Sequence, residues 1–162
     1  ALRRGDIQVG LVHPPLEDTA LVCRVISAIP FDVVLSDENP LSKKAVLTLK
    51  DLAQETFILF PRAVGPRLYD EIIALCHQEG FSPRKIIEAA PAQSIVAMAA
   101  CNMGIGFVAS KLQHYARPLA TYRRLRGPGP RLTLGVIRAS ERISPTVEKF
   151  VDIATMVGAS LR

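Results

Sequence analysis

Several local groupings in this chain hold residues capable of chemistry. Cys76 stands beside His77, a thiol next to a base, and Asp37-Glu38 and Asp70-Glu71 are adjacent carboxylates. The first pair suggests a nucleophile, the others acid–base or metal work. Neighbours on a helix point about 100° apart, and Cys76 falls on an apolar stripe with Leu68, Ile72 and Leu75, so the thiol belongs to a buried face. The carboxylate pairs have no metal-ligand companion, and no GxGxxG, P-loop, HExxH or GxSxG pattern occurs. An enzyme is therefore not expected. The stretch PRAVGPR at 61–67 is different, because it joins a strand-like run to a helix-like one. A helix start leaves backbone N–H groups unpaired and favours an anion, and Arg62 or Arg67 would add a charge-assisted bond to a carboxylate. Pro66 has no N–H to give, and Gly65-Pro66 reads equally well as a plain helix start.

Composition narrows the partners. Hydrophobic residues make up 49% and charged residues 22%, and no tract approaches the roughly 18 apolar residues of a membrane span. A soluble, cytoplasmic protein is expected, with no export signal in the first residues. Cys23, Cys76 and Cys101 are widely spaced in apolar surroundings, which reads as three core thiols rather than a disulfide framework or a metal site, and no cofactor is expected. The net charge of +5 is carried by scattered arginines and lysines, grouped only as Arg3-Arg4, Lys43-Lys44 and Arg123-Arg124-Arg126, and aromatics are 6%. That pattern lacks a stacking platform or a basic recognition helix, so direct DNA reading by this chain is not expected. An anionic ligand remains open.

The elements that position these residues alternate. DIQVGLV (6–12), LVCRVIS (21–27), PFDVVLS (30–36), TFILF (56–60), KIIEAA (85–90), GIGFVAS (104–110), LATYRRL (119–125) and RLTLGVIRA (131–139) read as strands. LKDLAQE (49–55) reads as a short helix, 65–79 as a long one stopped by Gly80, and 92–103 as a third, with Asn102 at a left-handed end. The last helix has Ser144 as N-cap, Pro145 in the first position, and Val147, Phe150, Val151, Ala154 and Val157 on one face. Repeated strand–helix–strand order predicts an α/β fold with parallel strands.

LRRGDIQVGLVHPP, VVLSDENPLSKKAVLTLKDLAQETFILFPR, GPRLYDEIIALCHQEGFSP and AACNMGIGFV, in this order, resemble the effector-binding half of the LysR-type transcriptional regulators. The resemblance implies a two-lobed, type II periplasmic-binding-protein-like fold with mixed sheets and hinge strands. Hinge crossings are expected around Ala28 and Val136, making 1–28 with 136–162 one lobe and 29–135 the other. It also implies an N-terminally incomplete module: Ala1–Gly5 resembles the end of the module's first helix, and the family's winged helix-turn-helix would lie further upstream. Gln8, Asn102 and Ala109 stand where the family often has Asp, Gly and Pro.

The same resemblance implies a small-molecule effector, expected to be an organic anion, in a cleft. His13 follows a strand where the family often has a polar residue. Pro61, Arg62, Gly65 and Pro66 would form the opposite wall, Gln93 and Ser94 would reach the cleft from the next helix start, and Phe107 would be buried in the sheet with an edge on the ligand. A larger residue at Gly65 would lower stability and binding if its φ is positive. Homo-oligomers, and DNA contact only through a separate N-terminal domain, are the expected associations. A periplasmic-type solute-binding protein is the alternative that shares this architecture.

Overall fold

The computed structural model describes residues 1–15, 18–111, 118–140 and 144–160. Its strands are β1 (Val9–Val12), β2 (Leu21–Ser36), β3 (Val46–Leu47), β4 (Thr56–Leu59), β5 (Lys85–Glu88), β6 (Ile105–Ala109), β7 (Ala120–Leu125) and β8 (Arg131–Ala139). The α-helices are α1 (Pro66–Gln78), α2 (Ala92–Ala100) and α3 (Pro145–Ser160). The chain divides into two compact units, Ala1–Ile29 with Leu132–Arg162, and Pro30–Arg131. Changes of unit fall at Ile29–Pro30 inside β2 and at Arg131–Leu132 at the start of β8; Val136 lies further along, within the first unit.

LVCRVIS and PFDVVLS, expected as separate strands, are one continuous strand, β2. Pro30 fixes φ in the extended range and removes one donor, and pairing resumes at once with the Phe31 N–H on the Pro130 carbonyl at 3.1 Å. LKDLAQE forms only a 3₁₀ turn at Leu49–Leu52. Its start is a capping box: Thr48 Oγ1 accepts from the Asp51 N–H at 3.4 Å, and the Asp51 carboxylate accepts from the Thr48 N–H at 2.8 Å. Lys44 Nζ donates to the other carboxylate oxygen at 2.5 Å.

In the first unit, β1 runs antiparallel to β8, Val9 opposite Arg138 and Val12 opposite Gly135, and β8 neighbours β2. Ile26 and Val136 from the strands meet Val147 and Val151 from α3 in a small buried cluster. The Ser144 cap is present, its Oγ accepting from the Val147 N–H at 3.3 Å. Of the five residues expected on the packed face of α3, Val147 and Val151 are buried, whereas Phe150 and Val157 are exposed. The face that packs is Val147, Val151, Ala154 and Gly158. Gly158 decides this: a Cβ there would fall well inside contact distance of the Ile26 carbonyl oxygen, so the missing side chain lets the helix lie against β2.

The second unit carries the larger core. β2 lies between β6 and β7, antiparallel to both. β6, β4 and β5 follow in parallel register, with Phe57 opposite both Ile105 and Ile86, and β3 pairs parallel with β7. Val33, Val34, Leu35, Phe57 and Ile58 are fully buried, each contributing about 1.5–3 kcal/mol. α2 seats Ile95, Val96 and Ala99 against Val34, Ile58 and Val108. Asn102 takes the expected left-handed conformation, φ 57°. The expectation for the cysteines fails at Cys101, which is exposed while Cys76 is buried and Cys23 half-buried. Cys101 caps α2, about 200° around the helix from buried Ala99. Burial pushes the Cys76 thiol up to about 11, which leaves it protonated and inert.

Two outcomes follow. Gly158→Ala should destabilise the protein by about 1–3 kcal/mol in denaturant unfolding, because the obstructing atom is backbone and overpacking is costly; an unchanged midpoint would show that α3 does not lie this close. The Asp51 carboxyl is held down at about 2, first by Lys44 and then by the Thr48 N–H. Its stabilising contribution is therefore complete above the unfolded value of about 4 and lost as pH falls through about 2. Asp51→Asn should flatten the stability curve across that acid window and leave its slope above pH 5 unaltered.

Candidate functional site

Parallel pairing brings the ends of β4, β5 and β6 to one edge of the second unit's sheet, with Leu59 opposite Glu88. From that edge the chain turns through 60–65 into α1 and through 89–91 into α2, while the Ala89 N–H bonds the Leu59 carbonyl at 2.9 Å. Neither helix has a side-chain cap: Gly65 is the N-cap of α1 and Pro91 that of α2. Two helix starts with positive partial charge thus open on the carboxyl edge of parallel strands, where α/β folds hold ligands.

The 61–65 turn supplies less backbone than a simple helix start would. The Val64 and Gly65 N–H groups both turn onto the Pro61 carbonyl, at 2.9 and 3.1 Å. The Arg62 N–H reaches Glu88 Oε1 at 3.5 Å, the outer limit of a hydrogen bond. The Arg62 side chain is engaged twice, Nε to Asp70 Oδ1 at 2.7 Å and Nη2 to Asp70 Oδ2 at 2.9 Å. That fork lowers the Asp70 pKa and raises that of Arg62. Both groups are largely open to water, with side-chain exposures of 62% and 51%, so the pair is weakly held.

Of the residues singled out in the sequence, Pro61, Arg62, Gly65, Pro66, Gln93 and Ser94 all lie on the turns and first helical residues at this edge. Gln93 and Arg62 are exposed and Ser94 half-buried; the Ser94 N–H is occupied by the Pro91 carbonyl at 2.9 Å. Phe107 lies inside the sheet, 2% exposed, its ring 5.6 Å from that of Phe57. Its place is the packed core beneath the edge. His13 belongs to the first unit, directly after β1, and its Nδ1 lies 2.8 Å from the Thr133 carbonyl oxygen. A carbonyl only accepts, so Nδ1 carries a proton and Nε2 of this exposed ring is the nitrogen left for a ligand. Among the described residues no group of three or more His, Cys, Asp or Glu side chains is arranged to hold a metal ion, and no helix is long and apolar enough to cross a membrane.

Sequence reasoning missed Asp70 and Glu88 as partners of Arg62. Arg62 lies outside α1 and Asp70 within it, so no helical spacing links them, and Glu88 comes from a neighbouring strand whose register only the fold provides.

Residues 1–158 match the family described as LysR substrate binding domain. The HTH-type transcriptional regulator AlsR of Bacillus subtilis is 28% identical over 153 residues, which covers 94% of this chain and 51% of that protein. The HTH-type regulator CatR of Pseudomonas putida is likewise 28% identical, over 94% of this chain and 53% of its own length. The chain thus spans about half the length of these relatives. Among solved structures, the BenM effector binding domain with its effector benzoate superposes with a TM-score of 0.85 at 20% identity, covering 98% of this chain and 72% of that one. The effector binding domain of QuiR in complex with shikimate gives 0.76 at 21% identity, over 98% and 75%. These likenesses establish the fold, the type II periplasmic-binding-like α/β arrangement.

The Gly65 backbone bears on substitution. Its φ is −139° and ψ 65°, with open space where a Cβ would stand, so the positive φ that would have made Gly65 obligatory is absent. Gly65→Ser should fold normally and raise stability by about 0.5 kcal/mol by adding the missing cap and stiffening the unfolded chain. A loss of more than about 1 kcal/mol in denaturant unfolding would contradict the turn geometry.

Proposed function

Because the chain belongs to the LysR substrate binding domain family, we propose that it is the effector-sensing part of a LysR-type transcriptional regulator and that its effector is a small organic carboxylate. The observation that carries this reading is the shared edge where two uncapped helix starts flank the Arg62 turn. The groups there are backbone donors and the Arg62 guanidinium, with the Asp70 and Glu88 carboxylates as present partners of Arg62, and the helix starts and the guanidinium favour an anion. Benzoate and shikimate, the molecules accompanying the BenM and QuiR domains, are both carboxylates, which agrees with this chemistry.

In the proposed mechanism the turn 61–65 and the α2 start, with Gln93 and Ser94, hold the carboxylate. Effector binding favours one of two arrangements of the protein and so biases DNA-binding domains carried elsewhere in the polypeptide. The full-length regulator acts on DNA in the bacterial cytoplasm as a homo-oligomer. A shift in population needs only that the effector bind one arrangement more tightly than the other.

Calorimetric titration of the full-length protein with benzoate, shikimate and aliphatic carboxylates tests the reading. Arg62→Ala should weaken the best ligand about tenfold, the loss of a charge-assisted bidentate contact, while the melting temperature moves by less than about 2 °C, as for other exposed positions. If every affinity survives Arg62→Ala unchanged, the turn is a helix start and no more.

A further inference from the structure

We propose that Asp70 is a built-in competitor for the effector, occupying the Arg62 guanidinium in the unliganded protein and leaving it only when a ligand carboxylate takes its place. The inference rests on the carboxylate reading above and adds the regulation of that site. Its starting point is geometry: Asp70 presents both oxygens to Nε and Nη2 of Arg62 at 2.7 and 2.9 Å, the same parallel fork a bound carboxylic acid would make. The Nε–Nη2 edge of the guanidinium is therefore already taken by a carboxylate of the protein's own.

Three features make this a replaceable partner instead of a fixed strut. Both side chains are more than half exposed, 62% and 51%, so water screens the pair and its strength is small. Asp70 lies in the second turn of α1 with its carboxylate open to water, so releasing it strands no buried charge. The turn itself is held by the Val64 and Gly65 N–H groups on the Pro61 carbonyl, so the Arg62 side chain can change partners while the turn keeps its place.

Exchange imposes a selection rule. A neutral or cationic molecule offers nothing that replaces the Asp70 fork, whereas a carboxylate replaces it bond for bond. Competition also sets the threshold, since an intramolecular carboxylate acts at a high effective concentration. The site thus responds only to ligands whose remaining contacts exceed those of a bare carboxylate.

The test is calorimetric titration of the full-length protein with benzoate and with shikimate at low salt, comparing the native sequence, Asp70→Asn, Arg62→Ala and the double variant. Asp70→Asn should bind about threefold tighter to the acid that binds, as expected for removal of a weak exposed ion pair, and the gain should vanish in the double variant. Unchanged affinity in Asp70→Asn, alongside weaker binding by Arg62→Ala, overturns the competitor and leaves the carboxylate site standing. Weaker binding by Asp70→Asn also overturns it, because Asp70 would then be helping to hold the ligand site. If Arg62→Ala has no effect, the assignment of Arg62 and the competitor fall together. If neither acid binds the native protein or Asp70→Asn in a saturable way, the competitor is likewise rejected.

Discussion

Parallel pairing of β4 with β5 and β6 is the constraint on which the rest depends. Two parallel neighbours cannot be joined by a tight turn; the chain must leave the carboxyl end of one, cross back through a helix and re-enter at the other end. The crossings are α1 and α2, so both helices begin at the same edge. The partial charge of two helix starts is then concentrated where the sheet ends, as a consequence of connectivity alone. α2 is pressed onto the sheet by Ile95, Val96 and Ala99, and Gly106, which has no side chain to obstruct Ile95, permits the close approach. Packing thereby fixes the position of a helix start whose own residues contribute little.

The polar part of the site obeys a different rule. Glu88 and Asp70 approach Arg62 from separate elements, so the turn is not a simple basic patch, and its one fully engaged cation is already neutralised by Asp70. Electrostatics at this edge depends on the exchange of partners around a guanidinium in water, where individual ion pairs are weak. The elements are held by burial, while the chemistry at their ends remains adjustable.

How much of this was legible in the sequence depended on the kind of force involved. Strands dense in β-branched residues, such as PFDVVLS and TFILF, and the stripe Leu68, Ile72, Leu75 and Cys76 declare themselves because burial imposes a period that local sequence must follow. The ordered family-like segments then supplied the architecture, and the turn at 61–66 and the starts at Gln93 and Ser94 fell at the sheet edge. Failures occurred where a local rule met a tertiary one. Pro30 looked like a boundary, yet a strand passes through it because pairing resumes at Phe31. Phe150 and Val157 looked like core, yet Gly158 rotates the packed face of α3 away from them. Cys101 looked buried from its apolar neighbours, but capping a helix placed it on the open side. The Arg62–Asp70 fork could not be read at all, since it joins a turn to a helix with no repeating spacing between them.

Phe107 shows how the two kinds of residue divide the work at this sheet edge. As a side chain 2% exposed against Phe57, it lies where the sheet must be rigid, and any influence it has on a ligand passes through the position of β6 and the turns above it. Arg62, Gln93 and His13 are exposed; the Arg62 side chain is held by Asp70 and the His13 ring by the Thr133 carbonyl. Ligand preference in such an arrangement can change through exposed residues without disturbing the core, because substitutions away from buried partners cost little stability. A common sheet with different turn residues is therefore physically able to present different polar groups at the same edge.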